Sequence, residues 1–228
     1  MANYKHFQMS QYKEDNLDEL DFLMKLSLSG HPRKLRWGKV LPIVFLFDEN
    51  HDNLNRCIDK NIENAKILIE FCDVSIVGVE SLTGGKSWDS QNQVYSENYS
   101  EKKLDDHYSK IYKSGQTKFA DELSRYFNDR IFGVESYGMQ EKLHSDIVLP
   151  ENEYYNTPVA NHPLNAARSE HFIRTLFEYY GHQESGNLIL NCGSNHNNDI
   201  EKWIENGKID EITSPYRANY IRFDTVCN

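Results

Sequence analysis

The stretch Pro42-Ile43-Val44-Phe45-Leu46-Phe47-Asp48-Glu49-Asn50-His51-Asp52-Asn53 joins a continuous apolar run directly to a run of polar side chains. A strand buried on both faces reads as unbroken hydrophobicity, whereas a strand with one wet face alternates. Pro42 to Phe47 is therefore predicted to be a buried strand, and Asp48 to Asn53 the polar loop it enters. Immediately downstream, Ile58, Ile62, Ala65, Ile67, Leu68 and Phe71 fall at near-helical spacing, and Val74-Ser75-Ile76-Val77-Gly78-Val79 forms a second strand ending in Glu80-Ser81. A strand, a helix and a strand in that order imply a parallel pair.

The same succession continues along the chain. A helix from about Lys118 to Phe127 leads into a strand at Arg130 to Val134, which again ends in Glu-Ser, at Glu135-Ser136. A helix from Asn165 to Tyr180, with Gly181 as its stop, precedes a strand at Asn187 to Asn191. That strand runs into Cys192-Gly193-Ser194-Asn195-His196-Asn197-Asn198, after which Ile200, Trp203 and Ile204 mark another helix and Tyr220 to Phe223 a last strand. Upstream, about Lys13 to Leu28 reads as an amphipathic helix, broken at His31-Pro32 and followed by a basic turn. The alternation predicts a three-layer α/β domain with a largely parallel central sheet, occupying residues 1–228 as one domain. A polar insertion or lid interrupts it at about 84–116, where Trp88, Tyr95, Tyr99, Tyr108 and Tyr112 either anchor the excursion to the body or stack on a planar ligand.

Totals narrow the classes of function. With 25 basic against 35 acidic residues the net charge is −10, which repels phosphate backbones, so nucleic acid is not the expected partner. The longest apolar run is far too short to span a bilayer, and Met1-Ala2-Asn3-Tyr4-Lys5-His6-Phe7 lacks the pattern of a secretory signal, so the expectation is a cytoplasmic chain without a membrane partner. Four cysteines, Cys57, Cys72, Cys192 and Cys227, show no paired spacing and read as reduced thiols.

In a parallel sheet, ligands bind beyond the carboxyl ends of the strands. All four best strands end there in ionisable or hydrogen-bonding residues: Glu49 with His51, Glu80, Glu135, and Ser194 with His196. Histidine exchanges protons near neutrality, so His51 and His196 either divide acid and base roles or bind a metal. Glu49, two residues from His51, can orient it where both face the cleft; otherwise His51 is a surface histidine in a turn. Glu80 and Glu135 are metal ligands, general bases, or halves of a buried salt bridge whose obvious partner is Arg168. Gly193 sits at a tight strand exit, close to a helix start whose amides favour anions, while Asn195, Asn197 or Asn198 caps that helix. Cys192 ends a buried strand and reads as structural rather than nucleophilic.

Asp48-Glu49-Asn50-His51-Asp52-Asn53 resembles the Gly-Glu-x-His-Asp-Asn motif of the ChaN-like haem-binding lipoproteins, and Gly193-Ser194-Asn195-His196 is similar to their second Gly-x-x-His. In the wider superfamily, which includes erythromycin esterases and TraB/Tiki proteins, an acid follows the second strand, matching Glu80, and an Arg opens a late helix, matching Arg168. The resemblance spans about Ile43 to Trp203. Asp48 departs from the usual Gly, and this sequence shows neither the signal nor the lipid-attachment cysteine of a surface lipoprotein.

The resemblance implies one of three activities: a His/Glu water-activating hydrolase, a metal-dependent peptidase, or a haem binder. The leading expectation is a hydrolase of a small-molecule or peptide substrate. Its catalytic candidates are Glu49, His51, Glu80, Arg168 and His196, and its ligand-binding candidates Asp52, Asn53, Glu135, Gly193 and Ser194. His51, Glu80 and His196 are the ligand set if zinc or manganese is present. The alternative expectation is a non-catalytic protein that binds haem or a small ligand.

Overall fold

Strands that are apolar on both sides require cover on both sides, and the chain supplies it by sending its earlier crossover helices to one face of a single sheet and its later ones to the other. The structure is a computed structural model that describes residues 32–38, 42–49, 56–83, 115–127, 130–136, 138–139, 142–143, 162–183 and 185–224. Strands β1 (Pro32–Arg36), β2 (Ile43–Glu49), β3 (Val74–Thr83), β4 (Ile131–Glu135), β5 (Asn187–Gly193) and β6 (Asn219–Phe223) form a six-stranded sheet in the order β1-β6-β2-β5-β3-β4. The pairings of β6 with β2, β2 with β5, β5 with β3 and β3 with β4 are parallel; β1 runs antiparallel to β6. The expected α/β class with a largely parallel sheet is what forms.

Helices α1 (Arg56–Phe71) and α2 (Gly115–Ser124) cover one face, where Phe45, Phe47, Val77, Val79 and Ile189 pack against Ile62, Leu68, Phe119 and Leu123. On the other face lie α3 (Pro163–Gln183), α4 (Ser194–Glu205) and the short α5 (Ile209–Ile212). There Val44, Leu46, Leu188 and Leu190 meet Phe172, Leu176, Ile200 and Trp203. Alternate residues of β2 and β5 therefore enter different cores, as the two-residue period of a strand demands. Both neighbours of β5 hand their chain to the α1/α2 face, while β5 hands its own to the α4 face. Connections diverging in this way make the carboxyl end of β5, at Gly193, the topological switch point of the sheet, the place where α/β sheets bind ligands.

Four details differ from the sequence expectations. The basic turn contains β1, whose Arg33 pairs with Glu201 and Asp224: charged side chains suit an edge strand and hide it from a hydrophobicity reading. Gly181 does not end α3, which continues to Gln183; a Cβ at Gly181 would lie 2.6 Å from the Tyr216 hydroxyl, so the glycine admits that ring rather than stopping the helix. Strand β3 runs past Val79 to Thr83, with a break in its register against β4 between Val79 and Thr83. The fourth is α5, whose single turn is too short for a periodicity signal. The predicted helix at 13–28 and nearly all of the 84–116 insertion lie outside the described residues; Gly115 and Gln116, its last two, already belong to α2.

Candidate functional site

The carboxyl edge of the sheet gathers Glu49, Glu80, Glu135, Arg168 and His196, each at most 7 % exposed. Glu49 is the last residue of β2 and lies level with Gly193 in the parallel register. Glu80 falls in the register break of β3, where the interrupted ladder lets its side chain leave the regular pleat. Glu135 closes β4. Arg168 comes from the second turn of α3 and His196 from the first turn of α4, the two helix starts that face this edge. His51, Asp52 and Asn53 lie outside the described residues, immediately beyond Glu49 in the chain.

Arg168 holds the acids together. Its Nε donates to Glu135 Oε1 at 3.2 Å, one terminal nitrogen donates to both Glu135 Oε2 and, at 3.1 Å, Glu80 Oε1, and the other reaches Asn165 Oδ1 at 3.3 Å. The Gly193 amide donates to Glu80 Oε2 at 2.7 Å. Among the alternatives read from the sequence for Glu80 and Glu135, a buried salt bridge to Arg168 is what the structure contains. Burial works against the Arg168 charge, yet hydrogen bonding and attraction from Glu135, with help from Glu80, hold its pKa above the ordinary value. For Glu135, burial pushes the carboxyl above the ordinary carboxylate value despite the pull of Arg168.

Glu49 stands differently. Its Oε2 accepts from Asn191 Nδ2 at 2.9 Å, while its Oε1 and Asn191 Oδ1 are buried and have no hydrogen-bond partner among the described residues. Burial, then the negative charge of Glu80, push the Glu49 carboxyl up to about 8, with the Asn191 bond acting the other way. At neutral pH this side chain carries a proton. His196 is held at one ring nitrogen: Nδ1 lies 2.8 Å from Ser169 Oγ, while Nε2 faces Glu80 Oε1 at 3.4 Å, with the Phe172 ring 4.7 Å away.

Asp48, the departure from the glycine of the resembling motif, points into a second ionic group. Arg222 of β6 donates to both of its oxygens, at 3.0 and 2.8 Å, and Asn197 Nδ2 donates to Oδ1 at 2.8 Å. Asn197 therefore does not cap α4: the helix begins at Ser194, before the asparagines, with Gly193 as its N-cap and no capping side chain. At φ −55° and ψ 144°, Gly193 has a backbone open to any residue, so left-handed freedom is not the reason for glycine here. Cys192 is fully buried and donates toward Asn197 at 3.2 Å; burial, then Glu80, Asp48 and Glu49, hold its thiol well above the ordinary pKa, which keeps it protonated and unreactive. Ser194 lies exposed at the rim.

Sequence reasoning passed over Asn191, Ser169, Asp199 and Arg222. Asn191 and Arg222 were visible as polar interruptions of otherwise apolar strands, Leu188-Ile189-Leu190-Asn191 and Tyr220-Ile221-Arg222-Phe223. Ser169 had only its position beside Arg168 to mark it, and Asp199 reads as an ordinary surface acid.

Of the ligand set read for a divalent metal, two members, Glu80 and His196, lie among the described residues. Glu80 accepts at both oxygens from Arg168 and Gly193, and His196 faces Ser169 and Glu80. No group of three His, Cys, Asp or Glu side chains suited to a metal ion occurs among the described residues. Among the described residues, the cation neutralising the Glu80 and Glu135 carboxylates is Arg168. No described helix is long and apolar enough to cross a membrane. No protein family, curated protein or solved structure is matched by this chain.

Proposed function

We propose that the chain is a hydrolase whose acid–base groups sit in the crevice at the carboxyl end of β5, as the motif resemblance to the erythromycin esterase branch implies. One observation carries the reading: the Glu49 carboxyl is buried at the mouth of the parallel sheet, protonated near neutrality, with one oxygen lacking a partner among the described residues. A buried polar atom left unpaired costs about 1–3 kcal/mol, a cost more readily accounted for by a working group than by scaffold.

In this reading an imidazole takes a proton from water as the water attacks a substrate carbonyl. Glu49 gives its proton to the departing oxygen or nitrogen, and the imidazole later returns its proton to the Glu49 carboxylate. His51, the residue two beyond Glu49, is the base; His196 is the second imidazole. The sequence reading cast Glu49 as the group that orients His51, but a neutral carboxyl is better suited to donate. Glu80, Glu135 and Arg168 act as the rigid floor of the site, and substrate contact falls to residues nearer the rim, including Ser194. The haem alternative has less support, because His196 is buried and its Nδ1 is held against Ser169.

The test is turnover by the purified chain on a panel of simple esters and peptides. Hydrolysis is expected, with kcat/KM falling about 10²- to 10⁴-fold in Glu49→Gln and in His51→Ala, the usual worth of a general acid or base. Full activity in both variants would overturn the assignment. Because Arg168 fills the role of a cation, dialysis against a chelator is expected to leave the rate unchanged, with elemental analysis of the same sample as the check.

A further inference from the structure

His196 is buried against a hydroxyl whose hydrogen-bonding capacity is over-subscribed. Ser169 Oγ, with no exposed surface, lies 2.9 Å from the Asn165 carbonyl oxygen, 2.8 Å from Asp199 Oδ2 and 2.8 Å from His196 Nδ1. A serine hydroxyl has one hydrogen to give and lone pairs to accept with. The carbonyl and the carboxylate can only accept. A hydrogen bond to a carboxylate is the stronger choice for the single hydroxyl hydrogen, and His196 Nδ1 is then the one neighbour of the three able to supply a hydrogen to the oxygen. The direction of this chain is therefore set from its outer end: Asp199 is half-buried, α3 carries Ser169 and α4 carries His196.

We propose that Ser169, backed by Asp199, is a positioning residue that keeps the proton of neutral His196 on Nδ1, leaving Nε2, the nitrogen facing Glu80 and the strand ends, as the one that exchanges protons. The inference rests on reading His196 as a proton-transfer group of the crevice. Its geometry is independent of the substrate. The Phe172 ring, 4.7 Å away and tilted by 57°, restricts rotation of the imidazole, so the two nitrogens keep separate surroundings. Without such a partner, neutral imidazole side chains favour the proton on Nε2, which would place the working nitrogen's hydrogen toward Glu80 permanently.

The experiment is long-range proton–nitrogen correlation NMR on the uniformly nitrogen-labelled full chain without substrate, at a pH where His196 is neutral. The expected wild-type pattern is that of an Nδ1-protonated ring. Ser169→Ala removes the acceptor and is expected to shift the pattern to the Nε2-protonated form, while Ser169→Thr retains the wild-type form. Asp199→Asn leaves the Asn165 carbonyl, 2.9 Å away, to take the serine hydrogen, so the Nδ1-protonated form is expected to persist in that variant. Should Ser169→Ala fail to fold, the wild-type pattern decides alone. An Nε2-protonated wild type, or an unchanged pattern in a folded Ser169→Ala, overturns the proposal. These outcomes are separable from failure of the hydrolase reading, since an inactive chain with the expected tautomer loses only that reading, and a hydrolase with the opposite tautomer loses only this one.

Discussion

The Glu49 carboxyl couples the site to pH. Its pKa, near 4.5 as an ordinary side chain, rises to about 8 on burial, so the folded chain holds a proton that the unfolded chain releases. The stability this proton contributes is fully present below the ordinary value and is lost as pH rises through about 8. Urea unfolding across this range is expected to show wild-type stability falling by on the order of a few kcal/mol, with Glu49→Gln flattening the slope. If Glu49 is the proton donor of catalysis, the rate falls over the same alkaline limb. Arg168 makes a second residue-scale case. Arg168→Leu strands Glu80 and Glu135 without their cation, and is expected to lose about 3–5 kcal/mol in denaturant titrations, partly recovered when both acids are also changed to glutamine. The acids and the arginine were legible because charged residues stand out at the ends of apolar runs. Their bonding was not, since which oxygen meets which nitrogen depends on elements far apart in the chain.

At the scale of elements, β2, β3, β4, β5, β6 and the larger helices were legible because each either buries both faces or shows an apolar stripe at helical period. Where the physics is different, the reading stopped. Strand β1 satisfies an edge with arginines and a lysine, and so resembles a loop. The start of α4 was read too late, because asparagines that look like caps instead send their side chains toward the sheet and its arginine. Asp48 shows what such cross-links do between elements. It joins β2 to Arg222 of β6 and to Asn197 of α4, so the residue that departs from the motif glycine has become a brace. Asp48→Asn keeps the shape and drops the charge; with Glu201 still paired to Arg222, thermal or urea unfolding is expected to show a loss of about 1–3 kcal/mol and no change in fold by circular dichroism.

For the whole molecule, the sheet grades from a sealed centre to open margins. Amide hydrogen exchange is expected to be slowest at Val44 to Phe47 and Leu188 to Asn191, where β2 and β5 pair with each other and lie between the two cores, and fastest in β1 at the margin. Uniform protection across all six strands would contradict this gradient. The same strand order has a consequence for how the protein is made. Both sheet neighbours of β2 are encoded well over a hundred residues after it, and so is the arginine that neutralises Asp48. While the ribosome is still adding residues, Ile43 to Phe47 emerges as an aliphatic and aromatic ribbon with nothing to pair with, and it stays so until β5 and β6 have been synthesised. Such segments are where nascent chains aggregate or recruit chaperones, so the central strand of the finished sheet is also the segment most exposed to misassembly during its birth.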